Sequence, residues 1–275
     1  MSFILPATTD NAPPTRQGAV CGRPGRAGRL GRVNDFLRAA ERDGAPEWYG
    51  RLRVRTDVPG PAEWLTRSGP GHGDFGTVAG VAAPGFAAYA RVLHPASLDG
   101  RPVRWSQVAA AYGRTVGPGT KWHRLIGAER FYHNGSDPGL PGVWDEHPEE
   151  GPTPPLVADA LVPVLARHTG TAERCWFGLW NGYGRRDFDG VPTFPTPGRD
   201  EVLLGGALAD VVSPVSLDEF DPLPDLWWPQ DRAWCVGGDV DLVSTYVGGS
   251  PELIADLLAD PRLETRLALP EDTPY

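Results

Sequence analysis

Residues 85–96, GFAAYARVLHPA, set Phe86, Ala88, Ala90 and Val92 against Ala87, Tyr89, Arg91 and Leu93. Alternation with apolar groups in both phases predicts a strand covered on both faces. Pro95 ends it, because proline has no amide proton to give a ladder. In residues 104–112 the period changes: Trp105, Val108, Ala109 and Tyr112 recur at helical spacing, so the strand hands over to an amphipathic helix.

The same pattern extends outward. CWFGLWNGYG, residues 175–184, alternates Cys175, Phe177 and Leu179 with Trp176, Gly178 and Trp180, and runs into a glycine turn. Further strands are predicted over 48–56, 201–208, 233–236 and 263–269, and short helices over 34–43 and 61–66, with a loop at 68–74. Thr153 is expected to cap a helix that opens with Pro154 and Pro155, buries Leu156, Ala160, Leu161, Val164 and Leu165, and ends near Gly170. SPELIADLL, residues 250–258, has a serine cap, proline at the first helical position and an early glutamate, which the helix dipole favours. Strands and helices are interspersed without a regular strand, helix, strand rhythm. This predicts an α+β fold with a mixed, mainly antiparallel sheet and a few packed helices, rather than a doubly wound parallel sheet.

Residues 1–32 are rich in Pro, Gly and Arg and lack apolar periodicity, so they are expected to form a flexible arm before a single globular domain over 33–275. Hydrophobic residues make up 40% of the 275 and charged residues 22%, enough apolar material for a sizeable core. Lys121 is the single lysine and isoleucine occurs three times, so a GC-rich coding bias accounts for part of the glycine and proline content. The net charge of -9 argues against nucleic acid as a partner, since a phosphate binder needs a basic surface. Charge is also unevenly spread: residues 201–275 carry fifteen acids against three arginines. Cys21, Cys175 and Cys235 are too dispersed for a disulfide framework or a zinc site. With no long apolar run and no signal-peptide pattern, a soluble, cytoplasmic protein without a membrane partner is expected.

GFAAYARVLHPA, RWSQVAA (residues 104–110), CWFGLWNGYG and LWWPQDRAWCVGGDVDLVSTYVGGS (residues 226–250) together resemble a family of actinobacterial proteins of about this length. The likeness extends over about residues 80–270 and implies one continuous domain. It brings no activity, ligand or catalytic residue with it.

Among candidate sites the densest is 226–250, where Trp227, Trp228 and Trp234 surround Asp231 and Arg232, followed by Asp239 and Asp241. Tryptophans fill cores and also make flat binding platforms. Because Trp227 and Trp228 are adjacent, an extended backbone sends them to opposite faces. One is expected at least partly exposed beside Asp231 and Arg232, as an anchor for an unknown protein or small ligand. The plainer alternative is a core strand with an ion pair at its edge. Asp239 and Asp241, one residue apart, could hold a hard divalent cation, or be balanced by an arginine or by water. His94, at a strand end, is a candidate general base if it meets an acid, and otherwise a partner for a backbone carbonyl. Cys175 and Cys235 read as packed thiols. Without a GxSxG elbow, a Walker loop or a dinucleotide fingerprint, no cofactor or metal is implied. The expectation is a non-enzymatic binding or accessory protein with a Trp-rich, acidic recognition surface. Two alternatives stand beside it: a metal-assisted or acid/base hydrolase or transferase using Asp239, Asp241 and His94, and an immunity-type protein that presents its acidic third to a basic toxin.

Overall fold

The computed structural model describes residues 46–66, 76–128, 139–184, 186–212 and 221–274. The described residues belong to a unit that spans Gly44–Tyr275, divided from the preceding Met1–Asp43. The arm expected over 1–32, the helix expected over 34–43 and the loop at 68–74 lie outside the described residues.

The strands of this unit are β1 (Trp48–Tyr49), β2 (Leu52–Val54), β3 (Ala88–Leu93), β4 (Ala96–Leu98), β5 (Arg101–Val103), β6 (Cys175–Trp180), β7 (Thr193–Thr196), β8 (Arg199–Gly206), β9 (Leu226–Pro229), β10 (Cys235–Gly237), β11 (Ser244–Gly249) and β12 (Thr265–Ala268). Nine of them run in the order β1-β2-β8-β6-β9-β10-β11-β3-β12, with β7 also paired to β8, while β4 and β5 form a separate ribbon. All pairings are antiparallel. The helices are α1 (Glu63–Thr66), α2 (Val78–Val81), α3 (Trp105–Ala111), α4 (Trp122–Ile126), α5 (Pro155–Arg167) and α6 (Pro251–Ala259). The fold is α+β, with a large antiparallel sheet. No helix among the described residues is long and apolar enough to cross a membrane.

Both faces of the sheet are covered, which explains why its strands are apolar in both phases. On one face α5 and α6 lie over Val92, Phe177, Val202, Leu204, Trp227 and Val236. Leu253, Ile254 and Leu257 of α6 are fully buried there, each contributing about 2 kcal/mol of transfer free energy. The Ser250 hydroxyl caps α6 by accepting from the Leu253 amide, as its sequence predicts. The other face packs Leu203, Leu226, Trp228 and Cys235 against Ala62 and Phe194, and Tyr89 and Tyr246 against Val78 and Val81 of α2. A third cluster joins Trp105, Val108, Trp122 and Trp144 beside the small ribbon. Here Glu264 caps α3 from a distance, accepting from the Trp105 and Ser106 amides at 2.7 and 3.0 Å.

The start of α5 departs from expectation. Pro154 is the N-cap residue and has no side-chain acceptor to cap with, while the Thr153 hydroxyl is drawn to the sheet, where it accepts from Thr245 at 3.0 Å. The inward face accordingly begins at Val157 and Ala158, and Leu156 is 54% exposed.

Gly178, Gly237 and Gly248 point toward the second face, and their missing side chains let the cover lie directly on the sheet. The closest approach is at Gly237, where a Cβ would stand 2.1 Å from the Val81 carbonyl oxygen. Where this cover stops, a cleft begins.

Candidate functional site

The cleft lies between the sheet and the turn after α2. Its floor is made by Glu201 of β8, Asp225 and Leu226 at the start of β9, and Gly238 and Asp239 after β10; Leu65, Val81 and Ala83 roof it. Strand phase places Glu201 here. In β8, Glu201 and Leu203 face the cover while Val202 and Leu204 face α5, so the carboxyl enters at the level of Trp180, its register partner in β6. The cavity volume is about 40 Å³, room for a few waters or a small head group. Thr196 and Arg199 also line a wider surface groove beside Trp180 and Asn181, which gives the cleft a mouth.

Each group in the cleft has a definable state. Asp225, 4% exposed, accepts from the Trp180 amide at 2.8 Å and from the Tyr183 hydroxyl at 2.6 Å. Burial pushes its pKa up to about 7 even though these two hydrogen bonds favour the ionised form. Glu201, 2% exposed, receives one long hydrogen bond, from the Thr196 hydroxyl to Oε1 at 3.4 Å, and its Oε2 has no partner among the described residues. Burial first, and then the charge of Asp225, hold it well above the usual carboxylate range. Burial and the same charge push the Tyr183 phenol up. Arg199 closes the mouth. Its guanidinium lies 4.1 Å from the centroid of the Trp180 ring and reaches Asp239 Oδ2 through Nε at 3.0 Å and Nη2 at 2.9 Å. Burial opposes the charge on Arg199, but the hydrogen bonds and charge of Asp239 outweigh it, and its pKa is raised.

The structure places the sequence candidates unevenly. Asp239 lies in the cleft wall, 2% exposed, and its Oδ1 accepts from the Asp241 amide at 3.0 Å. Asp241 stands outside it, its side chain 56% exposed and 3.8 Å from Arg199, so an arginine balances the two aspartates. Among the described residues no three His, Cys, Asp or Glu side chains converge as a metal site.

Trp227 and Trp228 do leave on opposite faces, but neither is exposed: they are 0% and 1% accessible. This corrects the expected recognition surface. β9 is central, between β6 and β10, and both faces above it are covered, so the second ring packs edge-on to Trp64 and Phe194 rather than meeting solvent. Pro229 is tolerated because it ends the strand beyond the reach of β10. Asp231 is exposed but structural: it accepts from the Thr169 hydroxyl and the Gly170 amide and ties the turn after α5 to the turn after β9. Arg232, with φ of 54°, lies over Trp64 with its Cζ 5.5 Å from the ring centroid. The four residues do not line the cleft.

His94 is fully buried, with Nδ1 against the Glu149 carbonyl at 2.8 Å and Nε2 against the Thr245 hydroxyl at 2.9 Å. Both ring nitrogens are engaged away from the cleft, which removes it as a general base for Asp239 and Asp241. Desolvation lowers its pKa from 6.5 to about 4. The unfolded chain therefore takes up a proton that the folded chain refuses. The His94 contribution is complete above pH 6.5 and declines as pH falls, by about 3 kcal/mol once pH reaches about 4. An NMR titration of its ring should keep the imidazole neutral to about pH 4, and His94→Gln should lose less stability on acidification than the native chain. A ring that titrates near 6.5 contradicts this placement.

Glu201, Asp225, Tyr183 and Arg199 carry the site and are not candidates of the sequence reading. One signal for Glu201 exists: it shares its phase with the apolar Leu203 in a strand that is apolar on both sides. Comparison with family models, curated proteins and solved structures finds no match, so the functional reading rests on this geometry.

Proposed function

We propose that this chain is a small-ligand-binding protein and that the Glu201 cleft is its ligand site. One observation carries the reading: a carboxyl group buried to 2% exposure, in a strand, lining the cavity, with one oxygen that lacks any partner among the described residues. Such an atom costs stability in the free protein, about 1–3 kcal/mol. A ligand that donates a hydrogen bond to it recovers that cost on binding. This keeps the expected class, a binding protein with an acidic site, and moves the site from the Trp227–Trp228 surface to the cleft, with Asp239 common to both. The buried free thiols Cys175 and Cys235 support a reducing, cytoplasmic setting.

A second reading is favoured by Asp225. A carboxyl with a pKa of about 7 next to another raised carboxyl has the make-up of an acid/base pair working near neutrality, with Glu201 exchanging a proton with the bound molecule. Glu201 and Asp225 then take the roles that the sequence suggests for Asp239, Asp241 and His94.

The test is a fragment screen of mixed charge followed by protein-detected NMR. Fragments are expected to move the Trp180 indole and the Gly238 amide, and to lose this effect in Glu201→Gln. If no fragment of any charge perturbs the cleft, the reading fails.

A further inference from the structure

We infer that the cleft receives a primary ammonium group on a short alkyl stem, with Glu201 Oε2 as its principal acceptor. This rests on the reading of the cleft as a ligand site and adds the chemistry of the ligand.

Three observations lead to it. First, the lining favours a cation: among the described residues, Glu201, Asp225 and Asp239 line the cleft against the single cation Arg199, Asp241 stands at the rim, and a bound cation would draw the raised Glu201 and Asp225 carboxyls to their ionised form. An anionic ligand would meet two carboxyls that its charge holds protonated and an arginine already paired with Asp239. Second, the contacts of Arg199 resemble those of a bound cation. It sits on the Trp180 face and is held by a buried carboxylate, the aromatic and acidic pairing that cation recognition uses. A second buried acceptor in the same cleft lining, Glu201 Oε2, has no donor among the described residues. Third, the dimensions discriminate. About 40 Å³ suits an ammonium head better than a ring, and Leu65, Val81 and Leu226 offer an apolar wall for methylenes leading from it. A metal ion would need several oxygens converging on one point, and among the described residues no such group is present. An ammonium group needs one strong acceptor and a neighbouring negative field, which Glu201 with Asp225 supplies once the cation favours their ionised forms.

The test uses the full chain at pH 8 and calorimetry or NMR titration with n-butylammonium, n-butanol, butyrate, n-butylguanidinium and tetramethylammonium. The expected order puts n-butylammonium first, with the alcohol and the carboxylate weaker by about tenfold or more, because a site built for a charged donor rejects analogues that lack it. Tetramethylammonium, which has no N–H, should also bind about tenfold more weakly. Glu201→Gln should lose about tenfold in n-butylammonium affinity, and Asp241→Asn, at the exposed rim, less than about threefold. Circular dichroism verifies that each variant is folded.

Equal affinity for n-butanol, for n-butylguanidinium or for tetramethylammonium overturns the ammonium assignment, as does unchanged affinity in Glu201→Gln, while perturbation of the cleft by neutral fragments leaves the ligand-site reading standing. Failure of every compound and every fragment at the cleft overturns both.

Discussion

Gly237→Ala is expected to destabilise the fold by about 3 kcal/mol, at the upper end for overpacking a core. The alanine Cβ would lie 2.1 Å from the Val81 carbonyl oxygen, 2.6 Å from the Val81 carbonyl carbon and 3.1 Å from the Ala82 Cα. All three are backbone atoms, so no side-chain rotation relieves the contact. The turn after α2 has to lift from the sheet, and the same turn roofs the cleft through Val81 and Ala83. The loss of stability should therefore come with a loosened ligand site. Gly119→Ala is the control: its Cβ meets nothing within 4 Å, and its cost should stay within about 0.5 kcal/mol. Urea unfolding of both variants measures the difference. Equal midpoints would mean that the cover does not rest on the sheet at Gly237.

The second large effect has the opposite sign. Glu201→Gln is expected to stabilise the free protein at pH 8 by about 1–2 kcal/mol, as removal of a group kept for a site rather than for the fold commonly does. The sign follows from proton linkage. The native Glu201 carboxyl is held above its unfolded value by burial and by Asp225, so its contribution is fully present below the unfolded value of 4.5 and is lost as pH rises above it. Glutamine does not titrate. The gain from the variant should therefore vanish near pH 4.5 and grow toward pH 8. Asp225, whose rise to about 7 comes from burial and from Asp239 rather than from Glu201, should keep that value in the variant. A variant less stable than the native chain at pH 8 would mean that Glu201 is a structural partner, and the case for a ligand would lose its footing.

Much of the fold is legible in the sequence where one physical signal acts alone. The alternation in CWFGLW matches β6, and the serine, proline and glutamate before LIADLL match the start of α6. The signal fails where two demands compete. β11, STYVGG, is buried along its whole length and carries two glycines, so no apolar and polar alternation remains to mark it. Thr153 has the chemistry of a helix cap, yet its hydroxyl serves the buried Thr245 and His94 network across the sheet. No local pattern reports that choice.

The site follows the same logic. Trp227, Trp228, Asp231 and Arg232 look like a surface because charge follows aromatics in the chain, but the charges begin only where the strand stops and the turn emerges. Asp239 was within reach of the sequence because an acid one residue from another demands compensation, and Arg199 provides it. Asp225 was not, and Glu201 only through the phase it shares with Leu203, since an acid in a strand ordinarily marks the solvent face. Only the pairing of β8 with β6 and of β6 with β9 brings the two carboxyls to one floor.

The most direct test of the account observes Glu201 itself. With glutamate labelled at the side-chain carboxyl carbon and Glu201→Gln used for assignment, NMR titration of that carbon should give a midpoint well above the usual carboxylate range. Addition of n-butylammonium should then lower it, because the ammonium group favours the ionised carboxyl. A midpoint near 4.5 that does not respond to any ligand would show Glu201 to be an ordinary solvated acid and would contradict the account.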